Sequence, residues 1–285
     1  MALAAGTPEM KPLTSACGMV VERRGHGPPV FLIHGLGGPM MWEKLVPLLA
    51  GSHEVIIPHL PGFGESPAPG RKLTSEDHAV NLGELAASMD LTGLRVAGVS
   101  YGGDIAAHLA MRVPRRVSRL VLICPTGAGN YHALRFIRAL SGDRFNGLKI
   151  RFLGYPAVAE FLSRRSYYRI SNRPPDLVER YLGQLSRPGH GEALLHALDD
   201  IAGAGADLPR LLAGAPVPVT LVWGRYDRTI PPPPEGLFRS AGMESAPLPD
   251  LVVIPDCGHS VPLENPVKLA EIIGAGPSLS GAAPV

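Results

Sequence analysis

Six short apolar runs punctuate the chain: Val30–Ile33, Val55–Ile57, Leu94–Val99, Leu120–Ile123, Val217–Trp223 and Leu251–Ile254. Most are bounded by Gly or Pro and lack the polar alternation of a half-exposed strand. They are therefore predicted to be buried strands of a parallel sheet. Between them, Met40–Ala50, Ser75–Met89, Gly102–Arg112 and Pro266–Ile273 carry helix-like patterns. Strand and helix in alternation predict an α/β fold, a mostly parallel central sheet with helices on both faces. The rhythm breaks from about Pro125 to Pro216, where no strand-like run occurs and the composition turns helical and basic, from Arg135 to Arg210. An insertion of that length is expected to be a helical cap and not a loop. The division that follows is a core in two parts, 17–124 and 217–274, a cap at 125–216 and a flexible Gly/Ala/Ser/Pro tail at 275–285.

Length and charge narrow the classes. A chain of 285 residues with 45% hydrophobic positions can bury a large core. A net charge of +2 gives no nucleic-acid footprint. No apolar run reaches the roughly 18 residues of a membrane span. The first sixteen residues lack the basic start and unbroken apolar stretch of a signal peptide. Three dispersed cysteines, Cys17, Cys124 and Cys257, show neither disulfide-framework nor metal-ligand spacing. A reducing, cytoplasmic setting is expected, with no metal and no organic cofactor. The cap arginines are expected to form a solvated outer face, the alternative being attraction of an acidic substrate or an acidic carrier protein.

The most informative segment is Gly98-Val99-Ser100-Tyr101-Gly102, set between a strand and a helix. That context makes G-x-S-x-G a nucleophile elbow, with the small residues required because strand and helix nearly touch. A serine hydroxyl needs a base. His259 follows the last strand directly, and Asp227 closes the strand before it, giving the chain order Ser100, Asp227, His259. Asp256 is expected to face solvent, and Asp104 to be a dipole-matched helix start. For the developing oxyanion, the donors expected are the N–H groups of Tyr101 and of Leu36 in the loop His34-Gly35-Leu36-Gly37-Gly38. His34 is expected to be tied to loop backbone. Met40, Met41 and Trp42 are candidates for the pocket wall or for packing, and Phe161, Tyr167 and Tyr168 have the spacing of a core stripe. Cys257 is expected to be a small buried residue, and Pro231–Pro234 to stiffen entry into a helix.

These motifs, together with Leu60-Pro-Gly-Phe-Gly-Glu-Ser66 and Trp223-Gly-Arg-Tyr-Asp227, resemble those of α/β-hydrolase-fold proteins from about Val20 to Ile273. The resemblance implies Ser100 as nucleophile, His259 as base, Asp227 as its orienting acid, Leu36 and Tyr101 as oxyanion amides, and a cap over the pocket. One departure is His59, where aspartate usually stands, a change bearing on loop hydrogen bonds. Epoxide hydrolases and haloalkane dehalogenases carry aspartate at the Ser100 position. Hydroxynitrile lyases place a lysine near the histidine loop, whereas Lys268 lies nine residues away in a predicted helix. C–C hydrolases of ring-fission products commonly have tryptophan where Ser260 stands. The expected activity is hydrolysis of a carboxylic ester, lactone or thioester of a small-to-medium apolar substrate through an acyl-enzyme. Alternatives are a cyclase or acyl-releasing thioesterase, a cofactor-free haloperoxidase or perhydrolase, a C–C hydrolase, and a slow-turnover ligand receptor.

Overall fold

The structure, a computed structural model, describes residues 13–14, 18–128, 145–204, 207–234, 237 and 249–275. Cys17, Arg135, Arg138, Arg144, the helix expected beyond Pro231–Pro234 and nearly all of the expected tail lie outside the described residues, apart from Leu237 and Ala275.

Among the described residues one sheet has eight strands: β1 (Leu13–Thr14), β2 (Val20–Arg24), β3 (Pro29–Ile33), β4 (Glu54–Pro58), β5 (Leu94–Val99), β6 (Val117–Ile123), β7 (Val219–Gly224) and β8 (Asp250–Ile254). Their order across the sheet is β1-β2-β4-β3-β5-β6-β7-β8. From β4 to β8 every pairing is parallel, while β1 and β2 are added antiparallel at one edge. All six apolar runs are strands. The sequence reading missed β1 and β2, because Val-Val-Glu-Arg-Arg at β2 is half-exposed and too polar to read as a parallel-core strand.

Helices α2 (Ser75–Ser88), α3 (Tyr101–Arg112) and α10 (Pro266–Gly274) form within a residue of the predicted bounds. Thr74 and Asp77 start α2 with reciprocal side-chain to backbone bonds, a capping box contributing about 1 kcal/mol. Arg95 donates to the carbonyls of Ile273 and Gly274 at 3.0 and 2.7 Å, and Arg119 to Ala275 at 2.7 Å. The last carbonyls of α10 are thereby closed by cations from β5 and β6. Met40–Ala50 is not one helix: a 3-10 turn at Pro39–Trp42 gives way to the single-turn α1 (Val46–Leu49). Pro39 and Pro47 each open a new turn, since neither can donate the N–H that would continue an older one.

Between β6 and β7 lie α4 (Asn146–Leu153), α5 (Pro156–Arg165), α6 (Leu177–Leu185), α7 (His190–Ala204) and α8 (Leu208–Ala213), with no strand among the described residues of the interval. The one-turn α9 (Val261–Glu264) precedes α10. Trp42 and Trp223 are wholly buried, and Trp223 Nε1 donates to Ile230 O at 2.8 Å. The expected core stripe of Phe161, Tyr167 and Tyr168 does not exist. Tyr167 is buried, but Tyr168 stacks on Tyr226 at 4.5 Å and Phe161 is 60% exposed, because residues 161 and 168 sit on either side of the end of α5.

The tightest packing lies where β5 meets α3. A Cβ at Gly102 would strike the carbonyl oxygens of Ile33 and His34, and one at Gly98 would strike the Gly102 carbonyl. Gly102→Ala is expected to lower the unfolding free energy by about 3 kcal/mol, the upper end for overpacking, as read from urea melts. Gly93→Asn, at φ +63° with open space around it, is expected to cost under about 1 kcal/mol.

Two histidines are sealed beneath the elbow. His34 Nδ1–H donates to Gly35 O at 2.8 Å and Nε2 accepts from Leu60 N–H at 3.1 Å. Burial pushes its pKa down to about 3, against a backbone hydrogen bond that raises it. His78, edge-on to Tyr101 at 6.0 Å, is pushed down to about 4 by burial. Unfolded, each titrates near its ordinary value of about 6.5, so in the window below that the unfolded chain binds more protons. Stability therefore rises with pH through this window and is lost as pH falls. Urea midpoints are expected to drop between pH 7.5 and 5, and His78→Gln to remove about 2 kcal/mol of that dependence.

Candidate active site

Ser100 sits at the junction of β5 and α3 with φ 55° and ψ −122°, a conformation that non-glycine residues rarely adopt. Three hydrogen bonds hold it there: Ser100 N–H donates to Ile123 O at 2.9 Å, and Ser100 O accepts from Gly103 and Thr126 at 2.9 and 3.1 Å. The strain lifts the half-exposed side chain out of the sheet edge and into a cavity. Gly35 faces it across the elbow, where a Cβ would lie 3.0 Å from that of Ser100.

Asp227 follows β7, its carboxylate fully buried. Oδ1 accepts from the N–H groups of Thr229 and Ile230, both at 2.8 Å, and Oδ2 from His259 Nδ1 at 2.7 Å. An ionised carboxylate can only accept, so the His259 proton is on Nδ1 and Nε2 is the basic nitrogen. His259 and Ser100 line the same cavity. Asp256 plays no part in this pair: it is exposed and lies 3.7 Å from Arg169. Asp104 does occupy the first turn of α3 but is buried, and burial raises its pKa to about 6 despite His108 at 3.8 Å.

Two residues near this pair were not singled out by the sequence reading. Glu264 accepts from Gly258 N–H at 2.6 Å with one oxygen and from Tyr168 and Arg169 N–H at 2.9 and 3.0 Å with the other. It thus ties the histidine loop to the turn after α5, and Ser260 N–H donates to Ser166 O at 2.9 Å beside it. Five residues after His259, it reads in sequence as an ordinary helix-entry acid. Cys124, at φ 43° after β6, has its Sγ within 4.8 Å of both the Asp227 carboxylate and a His259 nitrogen. Such a donor set suits a soft divalent ion in principle. Here Asp227 and His259 are already engaged with each other, and burial together with the Asp227 charge keeps the Cys124 thiol protonated. Cys257 is buried as expected.

Leu36 lies at the second position of the turn closed by Gly38 N–H to Gly35 O at 3.1 Å, so its own N–H is not used by that bond. Tyr101 is the first residue of α3, whose N–H has no intrahelical acceptor. The Tyr101 ring is buried, and its hydroxyl donates to Asp200 of α7 at 3.0 Å. Leu36, Met40, Met41, Ser100 and His259 share the wall of a cavity of about 430 Å³, roofed by apolar side chains of α4 to α7 such as Leu153, Tyr181 and Leu198. Trp42 is core instead. His59 replaces the usual aspartate without touching this cavity: its ring bridges Glu22 at 2.9 Å and Glu65 N–H at 3.0 Å, as a loop role requires.

Residues 28–266 match the family model described as alpha/beta hydrolase fold. The chain is 29% identical over 264 residues to a pimeloyl-[acyl-carrier protein] methyl ester esterase of Aeromonas hydrophila, covering 89% of this chain and 96% of that one. It is likewise 29% identical to a 2-hydroxymuconate semialdehyde hydrolase of Pseudomonas sp. strain CF600, covering 88% and 87%. A thermophilic esterase from Thermogutta terrifontis superposes with a TM-score of 0.73 at 25% identity, covering 93% and 97%. The chain belongs to the alpha/beta hydrolase fold family and stands among its hydrolytic enzymes.

Proposed function

We propose that the protein is a serine hydrolase cleaving carboxylic esters, lactones or thioesters of small-to-medium apolar compounds. The observation that carries this reading is the buried Asp227 carboxylate holding His259 by Nδ1 at 2.7 Å, on the wall of the cavity that the strained Ser100 enters. Ser100 Oγ attacks the carbonyl carbon as His259 Nε2 takes its proton. Leu36 and Tyr101 N–H groups receive the charge on the carbonyl oxygen, each such donor contributing roughly 2.7–4 kcal/mol. The protonated His259 then gives its proton to the departing alcohol or thiol. Water, deprotonated by the same nitrogen, releases the acid and restores Ser100. Residues 125–216 act as the cap, whose apolar side chains take up the acyl chain.

The relatives point two ways: one is a pimeloyl-[acyl-carrier protein] methyl ester esterase, which supports ester cleavage, and another is a 2-hydroxymuconate semialdehyde hydrolase, which favours the C–C hydrolase alternative. A carrier-bound substrate is the second reading, favoured by that first relative. Against it stands the neutralisation of much of the cap's positive charge, since Arg164 and Arg173 pair with Glu160, Arg180 with Glu43 and Arg187 with Glu65.

Intact-protein mass spectrometry after fluorophosphonate treatment is expected to show one adduct on the wild type and none on Ser100→Ala or His259→Ala. Asp227→Asn, which leaves the ring in the wrong tautomer, is expected to lower kcat on 4-nitrophenyl esters by about 10⁴. Full turnover by Ser100→Ala would remove the proposal.

A further inference from the structure

The charges around the catalytic cavity are one-sided. Among its described lining residues there is no Asp or Glu, while two guanidinium side chains, Arg165 at the end of α5 and Arg228 just after Asp227, stand on its wall. Both are exposed, so they mark the mouth and not the floor. One from the cap interval and one from the core, they are in contact, because Arg165 Nη2 donates to the Arg228 main-chain carbonyl at 3.0 Å. Arg165 is also seated over the Phe161 ring, its guanidinium carbon 6.0 Å from the ring centre.

What separates these two from their neighbours is the lack of a counter-ion. Arg164 and Arg173 share Glu160, Arg180 pairs with Glu43 and Arg187 with Glu65, each at 2.6 to 2.8 Å. Among the described residues neither Arg165 nor Arg228 forms an ion pair, and the cavity is apolar apart from its reacting groups and a few hydroxyls. A guanidinium presents five N–H donors in a planar fork suited to a carboxylate. Two such residues at the rim of an apolar cavity would complete their hydrogen bonding on an anionic group carried by the ligand.

We propose that Arg165 and Arg228 recognise a carboxylate on the substrate, remote from the scissile carbonyl, so that the preferred substrates are half-esters of medium-chain dicarboxylic acids and kindred anionic esters. This rests on the ester-hydrolase reading above for its catalytic step, but the recognition itself is a binding property. The apolar wall takes up the methylene chain, the ester carbonyl meets Ser100, and the free carboxylate stays at the wet rim beside the guanidinium pair.

Two measurements test it on the full-length protein. In the first, kcat/KM is compared for 4-nitrophenyl half-esters of adipic and suberic acid and for 4-nitrophenyl hexanoate and octanoate. The wild type is expected to favour the anionic esters by about tenfold at low salt, chiefly through KM. The preference is expected to shrink in 0.5 M NaCl, because exposed charges are screened. Arg165→Ala and Arg228→Ala are expected to bring the ratio toward one, whereas Arg164→Ala, whose side chain does not line the cavity, keeps it. In the second, calorimetry compares suberate with octanoate, and the arginine variants are expected to abolish an advantage of suberate. A wild type that shows no preference for charge in either measurement, or variants that keep it, would overturn the proposal. If suberate binds in an arginine-dependent way while neither ester series is turned over and no fluorophosphonate adduct forms, the recognition stands and the ester-hydrolase reading falls.

Discussion

Everything at this site depends on how closely the backbone of β5 and α3 approaches the loop after β3. Gly98, Gly102 and Gly35 leave no room for a side chain on any of the three facing surfaces. With those surfaces in contact, the chain can turn from strand to helix within one residue, and that residue is forced to positive φ. Ser100 is consequently displayed with little freedom to relax. The same crowding seats the turn that carries Leu36 against the elbow, with a Cβ at Gly35 only 3.0 Å from that of Ser100. The strain, of order 1–3 kcal/mol for such a backbone, is offset by a sheet edge buried on both sides.

Asp227 and His259 are organised differently, by polar saturation. Asp227 has donors for both oxygens, which leaves His259 one orientation. Behind the histidine loop, Glu264 receives three backbone N–H groups, yet burial still holds its carboxyl above the ordinary value. On the other side of the cavity Asp200 takes both the Tyr101 hydroxyl and Ser75 N–H, joining α7 to the nucleophile's helix and to α2. The interval between β6 and β7 is therefore bonded to the core at several places, through Asp200 and Glu264 and through the ion pairs of Arg180 with Glu43 and Arg187 with Glu65. Among the described residues no helix is long and apolar enough to cross a membrane.

Much of this was legible in the sequence, for a physical reason. Strands buried on both faces must be uninterrupted apolar runs, so β3 to β7 announced themselves, whereas β8 is an apolar edge strand with Leu251 and Val253 exposed. The elbow demands glycines at fixed offsets from Ser100. The order Ser100, Asp227, His259 followed from where strands end. The polar strand β2, between β1 and β4, was illegible because half of it faces water and carries no such constraint. Met40–Ala50 misled because its apolar spacing reflects burial of Trp42, Leu45 and Leu49 in the core, while Pro39 and Pro47 dictate the backbone. Glu264 and Asp200 were illegible for a deeper reason: their partners are backbone groups and a hydroxyl far away in sequence, and no local pattern records them. The cap arginines look alike in sequence, and only their spatial pairing separates Arg180, neutralised by Glu43, from Arg165 at the cavity.

The seam between the cap and the histidine loop is made by main-chain atoms on the cap side: the N–H groups of Tyr168 and Arg169 and the carbonyl of Ser166. These main-chain bonds do not depend on which side chains the cap carries at those positions, although Arg169 beside Asp256 and Tyr168 on Tyr226 add contacts of their own. An insert of quite different sequence could be fastened to the same core, provided that its backbone made the same turn beside Glu264. In evolutionary terms the attachment and the specificity are separable: the cavity lining can drift toward a new ligand while the histidine keeps its footing.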